Sequence, residues 1–386
     1  MAKVHCMSKV FKVLFCCGSR PELIKISPAY HLLLSIKEIR PLLCNTGQQK
    51  DLLAPHLEFL NMRPDYTLDV MRDGQSLDQL MEQLFHQLPH VLNEIRPGMI
   101  IIQGDTASAL AATIIANKNN IPVAHIEAGL RTYDKKSPFP EEIYRQNISK
   151  LAHWHFCPTE RARHNLIHEG ILDDKIFITG NSSVDMVENI YKALPKDVKA
   201  SPSIRTNSTR SYFLVTLHRR ESQGSPLKEI ISSLLAFTKS TPDYDFIIPL
   251  HPNPLTSLLI KNTLKEQDNI YLIPPCPYPE FVRLMADAYA IITDSGGIQE
   301  EAPSLNTPVI VVRDKTERQE GVENGCLRLA GTKKTTILEE LNLLINDKTH
   351  YQRMQQAPNP FGDGRAAEKI TAHLIDIVEK TYANPK

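Results

Sequence analysis

Short apolar runs alternate with helix-period patterns along almost the whole chain. In the first half, runs at 11–17, 40–44, 99–103, 121–126, 154–157 and 176–179 predict strands. Between them, apolar positions spaced three and four apart predict helices near 21–35, 77–95, 106–118, 140–152 and 159–169. Ser76 reads as the cap of the helix starting at Leu77, and Pro97-Gly98 punctuates the entry into Met99-Ile100-Ile101-Ile102. The polar stretch from Lys196 to Arg210, rich in Ser, Pro, Lys and Thr, reads as a loop. The alternation then restarts. Strands are predicted at 213–217, 245–250, 270–273, 289–293 and 308–312, with helices near 226–239, 255–266, 279–287, 297–303 and 335–347. A turn-dense segment, Asn359 to Gly364, redirects the chain into a last helix at about 365–382. Strands that are apolar throughout belong to parallel sheets covered on both faces. The expected class is α/β, with two Rossmann-like domains at 1–181 and 182–365 and the C-terminal helix 366–386 packing back on the first.

In parallel sheets of this kind, ligands bind beyond the carboxyl ends of the strands, so the residues there carry the functional reading. Strand 11–17 delivers Gly18-Ser19-Arg20-Pro21-Glu22-Leu23-Ile24-Lys25. Pro21 suits the first helical turn, and unpaired amides at a helix start favour an anion, with Arg20 and Lys25 adding two cations. Strand 289–293 delivers Asp294-Ser295-Gly296-Gly297, where two glycines let backbone N–H groups approach phosphate oxygens and Ser295 adds a donor. Glu301 lies one turn on, placed to accept from a ribose diol. Two such turns in two halves suggest a diphosphate held in an interdomain cleft. Neither matches G-x-G-x-x-G or the P-loop lysine pattern, which counts against NAD, FAD and ATP.

Other strand ends bring ionisable groups: Gly104-Asp105-Thr106, Glu127 to Thr132, His218-Arg219-Arg220-Glu221 and His251-Pro252-Asn253-Pro254. The loop Ser137-Pro138-Phe139-Pro140-Glu141-Glu142 adds carboxylates. Clustered carboxylates suit general acid–base work, and Arg and His near a pyrophosphate stabilise a leaving diphosphate. The inventory fits cleavage of a sugar–nucleotide bond.

Composition narrows the classes. At 386 residues, 42% hydrophobic and 23% charged, the chain accommodates two ordinary domains. Lys+Arg and Asp+Glu both number 44, so no global field draws in nucleic acid or an anionic membrane. The 7 cysteines form no C-x-x-C pair, and the 14 histidines show no H-E-x-x-H spacing, so no metal is expected. No run approaches a membrane span or a signal segment, and a reducing cytoplasmic compartment is expected.

In combination these motifs resemble the non-hydrolysing UDP-N-acetylglucosamine 2-epimerases, which have the two-domain GT-B architecture. The resemblance spans about residues 10–382 and rests on Gly18-Ser19-Arg20-Pro21-Glu22 with Lys25, Thr46-Gly47-Gln48, Gly104-Asp105-Thr106, His125 to Thr132, Pro138 to Glu142, His218 to Glu221, Asp294 to Pro303, Thr316-Glu317-Arg318 and Gly362-Asp363-Gly364. It implies a cofactor-free interconversion of UDP-GlcNAc and UDP-ManNAc, or a related UDP-2-acetamido sugar, by anti elimination and re-addition of UDP. By matching positions it implies Asp105, Glu127 and Glu141 as the proton-moving cluster and His218 as the aid to diphosphate departure. Arg20, Lys25, Arg145 and Cys276 would contact the ligand. Ser295, Gly296 and Gly297 would hold the diphosphate, Glu301 the ribose and Phe281 the uracil end, with Arg318 completing the nucleotide site. It further implies a homodimer and a place in cell-surface polysaccharide biosynthesis.

The chain departs from the family pattern at Gln49 (usually His), Tyr144 (Asn), Ser222 (Asn), Gln319 (Pro) and Cys276 (often Gln). These changes leave the three carboxylates intact and put a second, regulatory nucleotide-sugar site near Gln49 in doubt. A hydrolysing epimerase, a GT-B glycosyltransferase sharing the Ser295–Gly297 cradle, and a non-catalytic sensor remain as rival readings.

Overall fold

The structure, a computed structural model, describes residues 10–72, 74–195, 210–217, 224–250 and 254–383. The predicted loop and the strand-end residues His218–Ser222 and His251–Asn253 therefore lie outside the described residues, the loop but for Arg210. The chain divides into two compact units, residues up to Met186 together with those from Gly362 on, and Val187–Phe361.

The first unit runs β1 (Phe11–Cys17), α1 (Arg20–Leu34), β2 (Ile39–Asn45), α2 (Lys50–Phe59), β3 (Tyr66–Thr67), α3 (Leu77–Ile95), β4 (Met99–Gln103), α4 (Ala107–Lys118), β5 (Val123–Ile126), α5 (Glu141–Leu151), β6 (Trp154–Cys157), α6 (Glu160–His168), β7 (Ile176–Ile178) and the start of α7 (Ser182–Ala193). All seven strands are parallel, in the order β3-β2-β1-β4-β5-β6-β7. Side chains alternate across β1 as the pleat requires. Leu14 and Cys16 join Ile100 and Ile102 of β4 in a core with Leu80, Leu84 and Leu88 of α3, while Phe15 faces the other way onto Tyr30 of α1. Leu80, Leu84 and Leu88 recur every fourth residue, which places them on one face of α3. Fully burying one such leucine contributes about 1.5–3 kcal/mol.

The second unit contains β8 (Tyr212–Thr216), α8 (Ser225–Ser240), β9 (Asp245–Pro249), α9 (Pro254–Leu264), β10 (Ile270–Ile273), α10 (Tyr278–Asp287), β11 (Ala290–Thr293), α11 (Gly296–Glu301), β12 (Val309–Val311), α12 (Gln319–Glu323), β13 (Leu327–Leu329), α13 (Lys334–Asn346) and α14 (Lys348–Gln356). Its sheet is also parallel, ordered β10-β9-β8-β11-β12-β13. Phe213 stacks on Phe246 and meets Phe237 edge-on at the centre of its core.

The last helix, α15 (Ala366–Ala383), packs on α1 in the first unit. Buried Asp185 caps it, accepting from the Ala366 and Ala367 amides at 3.1 and 2.8 Å. Ser182 is tied to the same unit, its hydroxyl donating to the Lys25 carbonyl at 2.5 Å. Residues 182–186 and 362–365 thus belong with the first unit, whereas the sequence expectation put them in the second.

Strand order reverses between β1 and β4 in one sheet and between β8 and β11 in the other. Helices leaving neighbouring strands there go to opposite faces, which opens a crevice beyond the strand ends.

Candidate active site

At the first switch point β1 leads into Gly18 and β4 into Gly104-Asp105. Gly18 is required by a close approach: a Cβ there would stand 2.2 Å from Thr46 Oγ1 and 2.4 Å from Ser108 Oγ. Those hydroxyls lie 2.6 Å apart, and Ser108 Oγ also donates to Gln48 Oε1 at 2.8 Å, so three strand-end turns are fastened side by side.

The α1 start does not present the unpaired amides expected from sequence. The Gly18 and Ser19 amides donate to Glu22 Oε2 at 3.0 and 2.7 Å, and the Arg20 amide donates to Gln49 Oε1 at 3.0 Å. Pro21 has no N–H. The chain's own side chains occupy the Gly18, Ser19 and Arg20 amides, and much of the remaining attraction for an anion here is side-chain charge. Arg20 is exposed, whereas Lys25 is buried and paired with Glu127.

Two of the three carboxylates expected to cluster are each held by a cation. Asp105 pairs with Arg145 of α5, and Glu127, just past β5, pairs with Lys25 and accepts from Asn181 Nδ2 at 2.8 Å. Glu127 adopts a left-handed backbone at φ 66°, a conformation that costs a non-glycine residue about 1–3 kcal/mol. Glu141 opens α5, half-buried, one turn before Arg145. Its neighbour Glu142 is wholly buried, accepts from the Thr132 and Tyr133 amides at 3.0 Å each, and lies 3.5 Å from Arg145 Nη1. Glu142 therefore ties the 131–140 loop to the helix that carries Arg145.

Behind these groups, His125 Nε2 donates to the Gly104 carbonyl at 2.8 Å and fixes the turn before Asp105. Burial pushes the His125 imidazole down to about 4 and that of its cross-strand neighbour His155 to about 3, so both are neutral at pH 7. Burial pushes the Glu22 carboxyl up to about 7, against the opposing hydrogen bonds from Thr106, Gly18 and Ser19.

In the second unit Ser295 precedes α11, and its amide donates to Thr293 Oγ1 at 2.9 Å. Gly296 is needed because a Cβ there would stand 2.8 Å from Arg318 Nη1. That guanidinium lies under the first turn of α11, held by Glu300 through Nε at 2.8 Å and Nη2 at 2.5 Å, and by Glu317 through Nη1. Thr316 Oγ1 donates to Gln299 Oε1 at 2.6 Å, and Gln299 Nε2 donates to the Ser295 carbonyl at 3.1 Å. Arg318 is thus placed as a brace for the Ser295–Gly297 turn. Glu301 is buried at the end of α11, while Cys276 and Phe281 flank the start of α10, both half-buried. His218 lies outside the described residues.

Sequence reasoning missed the roles of Asn181, Glu142 and Glu22. Of these only Glu22 left a local signal, the Ser19-x-x-Glu22 spacing of a capping box. Among the described residues no group of His, Cys, Asp and Glu is arranged to hold a metal ion, and no helix is long and apolar enough to cross a membrane.

The family described as UDP-N-acetylglucosamine 2-epimerase matches residues 33–375. The UDP-N-acetylglucosamine 2-epimerase of Campylobacter jejuni is 41% identical over 374 residues, covering 95% of this chain and 98% of that protein. The crystal structure of the Neisseria meningitidis UDP-GlcNAc 2-epimerase bound to UDP-GlcNAc superimposes with a TM-score of 0.91 at 39% identity, covering 95% of this chain and 100% of its own. The S. aureus MnaA–UDP structure gives a TM-score of 0.90 at 36% identity, with 96% and 97% covered. With parallel Rossmann-like sheets in both halves and matches of this extent, the chain belongs to the UDP-N-acetylglucosamine 2-epimerase family.

Proposed function

We propose that the protein interconverts UDP-GlcNAc and UDP-ManNAc without releasing free sugar. The observation that carries the residue assignment is the arrangement at the first switch point, where Asp105 and Glu127 are each held in direction by a cation from another element. Elimination breaks the C2–H bond and the C1–O bond of the sugar. The proton passes to a carboxylate of the Asp105, Glu127 and Glu141 set, the C2–H electron pair becomes the C1=C2 double bond of a glycal, and the C1–O pair leaves with UDP. The glycal stays bound. Re-addition returns UDP to C1 and a proton to the opposite face of C2. Fixed carboxylates suit this step, because proton transfer demands a base within hydrogen-bond reach of one defined atom.

The leaving diphosphate needs donors and positive charge. Gly296 and Gly297 supply backbone donors over the Arg318 brace and Ser295 its hydroxyl, His218 assists departure, and Arg20, Lys25 and Arg145 contribute charge on the sugar side. Glu301 accepts from the ribose, Phe281 stacks on the uracil, and Cys276 borders the base. Related structures hold UDP-GlcNAc or UDP, which supports the ligand class. The mechanism needs no cofactor. A homodimer in the cytoplasm, serving cell-surface polysaccharide synthesis, completes the reading, and sedimentation of the purified chain checks the dimer.

Proton NMR of the protein with UDP-GlcNAc tests the activity. UDP-ManNAc accumulating to an equilibrium without free N-acetylmannosamine supports it. Free sugar with stoichiometric UDP marks a hydrolysing enzyme, and transfer only when a sugar acceptor is added marks a glycosyltransferase.

A further inference from the structure

Glu22 has no part in the chemistry just described, yet it is 1% exposed at the junction of two strand-end turns. Its Oε2 accepts from the Gly18 and Ser19 amides at 3.0 and 2.7 Å. Its Oε1 accepts from Thr106 Oγ1 at 2.7 Å, and that hydroxyl in turn caps α4 by accepting from the Ala109 amide at 3.0 Å. One carboxyl therefore spans from the turn that opens α1, the helix bearing Arg20 and Lys25, to the turn bearing Asp105. These two turns leave β1 and β4, the strands that flank the switch point.

We infer that Glu22 is a positioning residue, a bridge that sets Asp105 and the Lys25–Glu127 pair in register with each other. The sheet fixes strands rather than the loops beyond them, so the loops are aligned by the few bonds that join them, and Glu22 bonds directly to both the β1 and the β4 turn. A displacement of about 1 Å at reacting groups costs on the order of 10²-fold in rate. Burial raises the Glu22 carboxyl to about 7, so its neutral form is well populated at neutral pH. The neutral acid keeps the bridge: one oxygen still accepts both amides, and the protonated oxygen donates to Thr106 Oγ1, whose hydroxyl proton turns away. Glutamine reproduces this pattern, with its carbonyl on the two amides and its NH₂ on Thr106. Alanine reproduces none of it.

The inference rests on the proposed roles of Asp105 and Glu127, and two independent readouts separate it from them. Hydrogen exchange at the Gly18 and Ser19 amides needs no activity. In Glu22→Ala these amides exchange at least tenfold faster, and in Glu22→Gln they stay within threefold of the parent. Under saturating UDP-GlcNAc, Glu22→Ala loses at least thirtyfold in kcat while Glu22→Gln stays within threefold. Thr106→Val cuts the bridge from the other side, so Glu22→Ala combined with Thr106→Val is no slower than the worse single variant. A purely structural role lowers the fraction of folded enzyme without changing kcat per folded molecule. Full kcat in folded Glu22→Ala, equal damage from glutamine and alanine, or additive losses in the double variant each overturn the inference. If the amide result holds while the parent shows no epimerisation, the proposed function fails and the bridge stands.

Discussion

Replacing Gly18 with alanine tests whether the three fastened turns are as tight as the structure makes them. The added methyl meets Thr46 Oγ1 at 2.2 Å, Ser108 Oγ at 2.4 Å and Gln48 Cβ at 2.9 Å, all closer than ordinary contact. The hydroxyls are side-chain ends, but neither swings away freely. Thr46 is bonded to Ser108 and, at 3.3 Å, to the Cys17 carbonyl, while Ser108 is bonded to Gln48, and both are fully buried. Overpacking a tight site costs about 1–3 kcal/mol. Leaving one buried hydroxyl unpaired costs a further 1–3 kcal/mol or so. The expected loss is about 2–6 kcal/mol, confined to the first unit. The chain has a single tryptophan, Trp154 in β6, so denaturant unfolding followed by tryptophan fluorescence reports on that unit alone. Two units unfolding separately would otherwise blur one free energy. A change below about 0.5 kcal/mol refutes the reasoning, because only a turn with slack accepts the methyl so cheaply.

Asp105→Asn keeps the shape of the side chain but removes one carboxylate, and epimerisation should fall by about 10²–10⁴ with UDP affinity by calorimetry nearly unchanged. Lowering pH should destabilise the first unit between about 6 and 5. His125 and His155, held neutral well below their ordinary 6.5, each take up a proton on unfolding, whereas Glu22, raised to about 7, releases one. Among these three groups the net uptake of one proton removes about 1.4 kcal/mol per pH unit as pH falls, and Glu22→Gln, lacking the opposing group, should steepen the slope of the Trp154 transition by about the same amount. His153 and His373 shift in the same direction as the buried pair. Among the described cysteines only Cys276 is not buried, so a thiol reagent should label it ahead of Cys16, Cys17, Cys44, Cys157 and Cys326 in peptide mass spectra, and UDP should protect it. Equal labelling with and without UDP places Cys276 away from the nucleotide.

The strand ends were legible because apolar runs such as Met99–Ile102 announce buried parallel strands and the residue after each run is then known. Elements that lack such a run were not. β3 and β13 are two and three residues long. α7 went unread beside the polar stretch that follows it. The site was legible as a set of residues but not as a set of pairs. Lys25 and Glu127 are 102 positions apart, and they meet because the sheet order sets β1 beside β4 and β4 beside β5. The α1 start shows the reverse error. Local sequence signalled an anion site through helix geometry, while the groups that satisfy it include Gln49, brought in by β2 and invisible to local reading.

The central claim is that carboxylates of the first unit remove and return the C2 proton, and running the reaction in deuterated water tests it most directly. The account requires every UDP-ManNAc molecule formed from UDP-GlcNAc to carry one solvent deuterium at C2, with trace glycal released and with incorporation slowed in Asp105→Asn in parallel with epimerisation. Product that retains its original C2 hydrogen contradicts it, since no proton would then have passed through Asp105, Glu127 or Glu141.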